Sequence, residues 1–295
     1  MDDQALIQVM LEAHTNASGL NFDINTCHGG DTHRSYRVAI NGSADEHDCL
    51  FVKVNDLAKV NVLNSEFESL QRLNNIQMSA YPKALMFKTD QHNCYLVMTY
   101  HDLVPLNENS SAQLGENLAE QHLQTAERFG WESDNYIGLS LQTNTKNKSW
   151  LDFYHQQRLA PQLMLAINNG LDSDLINQIQ NIQESLESYF EGYEPVPSLL
   201  HGDLWSGNVS FERSLSKPIL YDPAPYYGDR EADIAMTRLF GSFPQSFYQA
   251  YQAVYPLHID YEKRKPLYNL YHALNHFNLF GHGYTSMIRS LLSKL

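Results

Sequence analysis

Positive charge is scarce in this chain: 20 Lys and Arg stand against 34 Asp and Glu over 295 residues, a formal net charge of −14. A field of that sign repels nucleic-acid phosphates and anionic headgroups, so neither is expected as a partner. Any phosphate-bearing ligand must therefore be met locally, by a placed lysine or by a metal. Cysteine is scarcer still. Cys27, Cys49 and Cys94 lie far apart, with no CxxC pair and no His/Cys cluster at zinc spacing. That argues against a disulfide framework and fits a reducing compartment. No apolar run approaches the length of a membrane span. The opening Met1-Asp2-Asp3-Gln4 is acidic and lacks the basic and apolar regions of a signal peptide. A soluble, cytoplasmic protein is expected. The GxGxxG pattern is missing too, so a nucleotide would need a differently built phosphate loop.

What is present reads as a globular protein, with 43% apolar and 18% charged residues. Leu6, Ile7, Met10 and Leu11 make a short helical stripe within residues 4–16, followed by a turn at Gly29-Gly30. Tyr36–Ile40 alternates as a strand, Asn41-Gly42 signals a turn, and Cys49–Val54 reads as a second strand carrying Lys53. Residues 61–74 suit a helix with Phe67, Leu70 and Leu73 on one side, and Tyr95–Met98 suits a further strand. Past Pro105 the pattern becomes helical, over 111–124, 149–169, 173–190, 243–255 and 261–281. Strands there are confined to Ser198–Leu200 and Pro218–Tyr221. The chain thus divides into a sheet-rich lobe (1–98), a hinge (99–104) and a larger, mostly helical lobe (105–295).

The most informative segment is His201-Gly202-Asp203-Leu204-Trp205-Ser206-Gly207-Asn208. It follows one short apolar run, and a second run, Ile219-Leu220-Tyr221, ends in Asp222. Phosphoryl transfer from ATP needs a carboxylate to orient the attacking hydroxyl and accept its proton. It also needs oxygen ligands for Mg2+, which neutralises phosphate charge. Asp203 is the candidate catalytic base, and Asn208 and Asp222 are the candidate metal ligands. A plain Gly/Asp/Asn turn would not place all these residues in that order.

HGDLWSGN with the later YDPA resembles the catalytic and metal loops of the aminoglycoside-phosphotransferase branch of the kinase-like superfamily. FGWESDNYIG (129–138), RLAPQL (158–163), YYGDREADIAMTRLFG (226–241) and LYHALNHFNLFGHGY (270–284) narrow the likeness. Together with DLWSGN they resemble the fructosamine kinase, or ketosamine kinase, family over essentially the whole chain. The resemblance implies an α+β, bilobal protein-kinase-like fold with a small antiparallel-sheet lobe and a larger helical lobe. It also implies ATP and Mg2+ as cofactors, with ATP in the cleft beneath the N-terminal sheet.

A kinase strand lysine contacts the α- and β-phosphates and is held by a helix glutamate. Lys53 fits that role, and Glu66 is its candidate partner, because it precedes Ser69-Leu70 where the family has Glu-x-x-Gly-Leu. Glu68 is the competing choice. Gly29 and Gly30 would let the backbone approach phosphates, although Asp31 is odd beside them. The hinge around Met98, Tyr100 and Asp102 is expected to offer backbone groups to adenine. Pro223 and Ala224 after Asp222 leave no kinase-type Phe switch.

By resemblance Asp233 braces the catalytic-loop backbone, and His201 is expected behind the reacting groups with it. Asp229 through Glu231 are expected to face the substrate, with N-terminal charge complementation of a helix as the alternative. Among His272, Asn275, His276 and His282, the His272/His276 spacing of one turn would suit a metal, but no third ligand accompanies it. They read better as core or groove-lining histidines. Trp205 is either an apolar wall for a sugar or amine, or a packing residue. Cys27 is either a redox-sensitive or an inert thiol.

The expected reaction is transfer of the γ-phosphoryl group to a sugar hydroxyl of a ketosamine, free or protein-bound. An open groove lined by Trp205, Asp229 and His272 should admit it. The rivals are a kinase for an aminoglycoside, choline or homoserine, and a non-catalytic pseudokinase. Lys53, Asp203, Asn208 and Asp222 are all present, which speaks against the latter. A monomer is expected, with a dimer as the alternative.

Overall fold

The structure, a computed structural model, describes Gln4, Ile7, Gln8, Leu11 and residues 22–27, 33–40, 49–76 and 81–295. Gly29, Gly30, Asp31 and the Asn41-Gly42 turn lie outside the described residues, as do Leu6 and Met10 of the N-terminal stripe. Two compact units emerge, Met1–Ile76 with Tyr81–Leu103, and Val104–Leu295 with Gln77–Ala80.

The first unit is built on a five-stranded antiparallel sheet. Its strands are β1 (Phe22–Cys27), β2 (Arg34–Ile40), β3 (Cys49–Asp56), β4 (Ala84–Thr89) and β5 (Asn93–Thr99), in the order β1-β2-β3-β5-β4. Between β3 and β4 in sequence lies helix α1 (Val60–Ile76). Alternation decides the faces. Val52 and Val54 of β3 join Val38, Met86, Tyr95 and Val97 in one buried cluster, closed by Ile7 and Leu11 of the helical N-terminal segment. Lys53, between the two valines, must turn to the other face, and there it meets Glu66 of α1. Leu63, Leu70 and Leu73 of α1 are buried, whereas Phe67 is half-buried against Phe87. Strand β1, in which half-buried Phe22 and Ile24 alternate with exposed Asp23 and Asn25, and strand β4 form the two edges of the sheet, each paired on one side only.

The second unit is mostly helical. Helix α2 (Glu108–His122) starts at a reciprocal cap, Ser110 N–H donating to Asn107 Oδ1 at 2.9 Å and Asn107 N–H to Ser110 Oγ at 2.8 Å. A hairpin follows, β6 (Asn135–Ile137) and β7 (Ser140–Gln142). The helical path expected over 149–169 runs over 150–168 as α3, with a π-type widening at His155–Leu159, where Ala160 N–H donates to His155 O. Pro161, which has no N–H to give, comes directly after it. Helix α4 (Ser173–Glu184) ends before a 3₁₀ turn at Leu186–Phe190. Then come β8 (Ser198–Leu199), β9 (Val209–Glu212), β10 (Lys217–Leu220) and β11 (Tyr227–Gly228). The unit closes with α5 (Glu231–Met236), α6 (Gln245–Val254), α7 (Tyr261–Phe280) and α8 (Thr285–Leu292).

Two short ladders place the motif. Strand β8 pairs antiparallel with β11, and β9 with β10 from Val209↔Leu220 to Glu212↔Lys217. The HGD segment therefore leaves the end of one ladder, and Asp222 the end of the other. No helix among the described residues is long and apolar enough to cross a membrane.

Candidate active site

The His201–Asn208 loop is held from behind by one carboxylate. Asp233, in the first turns of α5, accepts from His201 N–H at 2.7 Å through Oδ2 and from Gly202 N–H at 2.9 Å through Oδ1. His122 Nε2 also lies 3.2 Å from Oδ2, and His122 Nδ1 lies 2.8 Å from the Tyr251 hydroxyl. Burial pushes the Asp233 carboxyl upward, but His122, His201 and the Gly202 amide outweigh it and leave the group below its ordinary value. An ionised Asp233 thus ties two successive amides of the loop. His201 stitches the loop further. Its Nδ1 accepts from Asp203 N–H at 3.2 Å, which puts the proton on Nε2, 3.1 Å from Tyr221 O. Through this ring the backbone of Asp203 and that of the residue before Asp222 are tied together.

Gly202 has φ +84, and an added Cβ would overlap the Ala224 carbonyl. Only glycine suits both demands. The Ser206–Asn208 turn brings Asn208 back, and its Nδ2 donates to Asp203 O at 2.9 Å and to Asp203 Oδ2 at 3.1 Å. The Trp205 ring lies across Gly207, where an added Cβ would collide with it.

The donor set suits a hard divalent cation. Because Nδ2 of Asn208 faces Asp203, Oδ1 points the other way as a neutral oxygen ligand. Asp222 holds a left-handed φ of +54, uncommon for a residue with a side chain and tolerated best by Asp and Asn. Burial, and then the negative charge of Asp222, push the Asp203 carboxyl up to about 7, against the pull of the Asn208 amide. A pair in which one carboxylate raises the other's proton affinity in this way would also favour a cation beside it.

In the first unit Lys53 Nζ donates to Glu66 Oε1 at 2.7 Å, with side-chain exposures of 8% and 11%. Glu68, the competing choice, is exposed and accepts from Asn64 at 3.0 Å. An ammonium carries three donors, so a carboxylate brace and a phosphate contact are compatible. Among the hinge positions, Met98 lies in β5, flanked by β3 and β4, and Tyr100 N–H donates to Cys49 O at 3.3 Å. The Tyr100 N–H is thus taken up within the sheet. Asp102 lies beyond the sheet, before Leu103. Cys27, at the end of β1, is half-buried, and burial raises its thiol above the ordinary value, as an inert thiol requires.

Three substrate-facing expectations are overturned by burial. Asp229 is 0% exposed and accepts from Tyr193 at 2.8 Å, from Glu231 N–H at 3.0 Å and from Tyr268. Glu231 is 0% exposed and is gripped by Arg264 through Nε at 2.7 Å and Nη2 at 3.1 Å. Both carboxylates anchor the start of α5, and with it Asp233. His272 is only 4% exposed, and burial drives it down to about 3, a neutral core imidazole. Its neighbour one turn later, His276, stands instead in a half-buried aromatic group. Trp205 meets Phe240 edge-on at 6.0 Å, Phe240 lies 4.4 Å from His276, and His276 lies 5.1 Å from Tyr284. Trp205 thus keeps its candidacy as an apolar wall. Phe240 and Tyr284 were missed because each is an ordinary core residue by composition.

A comparison of the chain with known protein families matches the fructosamine kinase model over residues 3–295. A Vibrio parahaemolyticus protein named "Probable ketoamine kinase" is 38% identical over 269 residues, 90% of each chain. The chloroplastic protein-ribulosamine 3-kinase of Arabidopsis thaliana is 43% identical over 200 residues, covering 67% of this chain and 60% of that one. A crystal structure from Haemophilus somnus, provisionally named a fructosamine-3-kinase, superposes with a TM-score of 0.84 at 27% identity, covering 98% of this chain and 96% of that one. An aminoglycoside phosphotransferase structure shares the fold alone, with a TM-score of 0.66 at 15% identity over 98% of both chains. The fold is therefore α+β and kinase-like, and the chain belongs to the fructosamine kinase family of phosphotransferases.

Proposed function

We propose that this protein is an ATP- and magnesium-dependent kinase that phosphorylates a sugar hydroxyl of ketosamines. The acceptors are ribulosamine or fructosamine adducts of small amines or of protein lysines, and the activity is of a deglycation-repair type, exercised by a soluble monomer in the cytoplasm. The observation that carries the reading is the Asp203 site: a carboxylate on a loop pinned by Asp233, held by the Asn208 amide N–H and close enough to the Asp222 carboxylate to feel its charge.

Asp203 orients the acceptor hydroxyl and takes its proton on a carboxylate oxygen. In the metal-free protein, burial and the charge of Asp222 raise this carboxyl and so its affinity for a proton. Lys53, braced by Glu66, meets the nucleotide phosphates, with Gly29 and Gly30 approaching them through the backbone and residues 98–102 offering main-chain groups to adenine. Magnesium, held by Asn208 Oδ1 and the Asp222 carboxylate, would neutralise the charge on those phosphates. The rings of Trp205, Phe240, His276 and Tyr284, tilted or edge-on to one another, offer aromatic surface for the CH face of a sugar and for a cationic amine.

The test is kcat/KM across lysine ketosamines, free ribulose, free fructose and kanamycin, at two ionic strengths. Lysine ketosamines are expected to lead. Their advantage should shrink as salt rises, because the net charge of −14 attracts amine-bearing acceptors over distances that salt screens. A preference for kanamycin or for the free sugars would overturn the acceptor assignment.

A further inference from the structure

The carboxylate of Asp222 sits on a segment with no regular structure, in a left-handed conformation, followed by Pro223-Ala224-Pro225. The two prolines restrict the backbone locally, but they do not fix where the segment stands against its neighbours. The segment's main-chain groups do that. Ala224 N–H donates to His201 O at 2.9 Å, so one side of this residue is fastened to the catalytic loop. The other side is fastened to the β6–β7 hairpin. Gln142 Nε2 donates to Ala224 O at 3.2 Å, and Asn135 Nδ2 donates to Pro225 O at 2.8 Å.

Behind these two amides lies a set of buried partners, joined by hydrogen bonds at each group except Arg158 Nε. Asn135 Oδ1 accepts from Gln142 Nε2 at 2.8 Å and from Asn144 Nδ2 at 2.9 Å, and Gln142 Oε1 accepts from the Tyr271 hydroxyl at 2.7 Å. Arg158, fully buried in the π-type turn of α3, donates to Asn144 Oδ1 at 2.7 Å and to Thr143 O at 2.6 Å. Its guanidinium lies over the Tyr226 ring at 4.0 Å. Gln142, Asn135 and Asn144 are each 1–2% exposed. A buried network of this kind costs desolvation in every member and stiffens the groups whose hydrogen bonds it satisfies. A simple apolar core would fill the same space more cheaply, so stiffness at Ala224 and Pro225 is what the network supplies.

We propose that Gln142 and Asn135, backed by Arg158 and Tyr271, are positioning residues for the metal: they clamp the Ala224 and Pro225 carbonyls and so fix where the Asp222 carboxylate stands relative to the catalytic loop. This rests on the reading of Asp222 as a magnesium ligand given above. Partners one step removed from a metal ligand alter metal affinity by orienting it. Gln142 and Asn135 act through two residues of backbone, so a smaller effect is expected.

The test is calorimetric titration of Mg2+ in the presence of AMP-PNP, which needs no acceptor. It compares the intact protein with Gln142→Met, Tyr271→Phe and Asp222→Ala, alongside thermal unfolding of each. Gln142→Met should weaken Mg2+-dependent nucleotide binding by about fivefold, leaving metal-free nucleotide binding unchanged. Tyr271→Phe removes only the hydrogen bond to Gln142 Oε1, so it should fold and show the same pattern at about twofold. If Gln142→Met fails to fold, Tyr271→Phe decides. A lowered unfolding temperature with unchanged Mg2+ dependence in either folded variant would overturn the proposal and leave the network a purely structural one. Unchanged Mg2+ dependence in Asp222→Ala would overturn the metal assignment itself, and the clamp proposal with it. Failure to phosphorylate ketosamines would touch neither result.

Discussion

In the proposed reaction Asp203 is the residue on which the chemistry turns, and its surroundings say what its loss should do. Asn208 Nδ2 reaches both its backbone and its side chain, at 2.9 and 3.1 Å, so an amide at position 203 keeps the loop geometry while losing the proton acceptor. Asp203→Asn should therefore lower kcat by about two to four orders of magnitude and leave nucleotide affinity within about twofold. Single-turnover kinetics with parallel nucleotide titration would show it, and near-normal turnover would remove Asp203 from the role of base. The neighbouring residues differ in how readable they were. Lys53 stood out because a charged residue between two core valines must leave the core face. Resemblance favours Glu66 over Glu68, and helix phase agrees: Glu66 lies three and four residues from the buried Leu63 and Leu70, whereas Glu68 falls on the exposed side. Asp229 and Glu231 look like site residues in sequence. Nothing local reveals that Tyr193, Tyr268 and Arg264, from distant segments, close over them.

Among the elements, the pairing of α2 with α6 gives the sharpest contest between two effects. Gly115 lies mid-helix in α2, where alanine would ordinarily be favoured by about 1 kcal/mol of helix propensity. Here an added Cβ would collide with the backbone carbonyl of Phe247 in α6, and a backbone cannot rotate away as a side chain can. Overpacking costs about 1–3 kcal/mol, so Gly115→Ala should destabilise the protein on balance. Denaturant unfolding checks the sign, and a gain in stability would mean that the two helices separate at little cost. The long helices were legible from their apolar spacing. The short ladders β8–β11 and β6–β7 were not fully legible, because two- or three-residue strands hold too few positions to show alternation.

On the scale of the whole molecule, buried histidines and buried carboxyls pull the pH dependence of stability in opposite directions. His122, His201 and His272 are each at most 4% exposed, and burial lowers the pKa of each. Unfolded histidine binds its proton near pH 6.5, whereas folded His272 does so only at about 3. Between those values the unfolded chain holds more protons at this residue, so the histidine contribution to stability rises with pH. The contribution is complete above about 6.5 and is lost as pH falls towards 3. For His272 alone the loss at pH 5 is about 2 kcal/mol. Asp203 and Glu231, both raised to about 7, act in the opposite sense over the same range, so the test is a difference: between pH 7.5 and pH 5 the unfolding temperature of the intact protein should fall relative to that of His272→Asn. An equal change in both proteins would show that His272 is not held neutral by the fold.

The order of chemistry along the chain, from a strand lysine through HGD and Asn208 to Asp222, was set by the sequence itself, because reacting groups on one loop need only short-range spacing. The same is true of the alternation that turned Lys53 away from the valine face. Tertiary structure alone decided which polar residues are available. It buried Asp229, Glu231 and His272, placed His276 among the aromatic rings, and brought Gln142 to the carbonyl of Ala224 across 82 residues of sequence. A hydrogen bond of that span depends on every element between its ends, so no local pattern of residues can encode it.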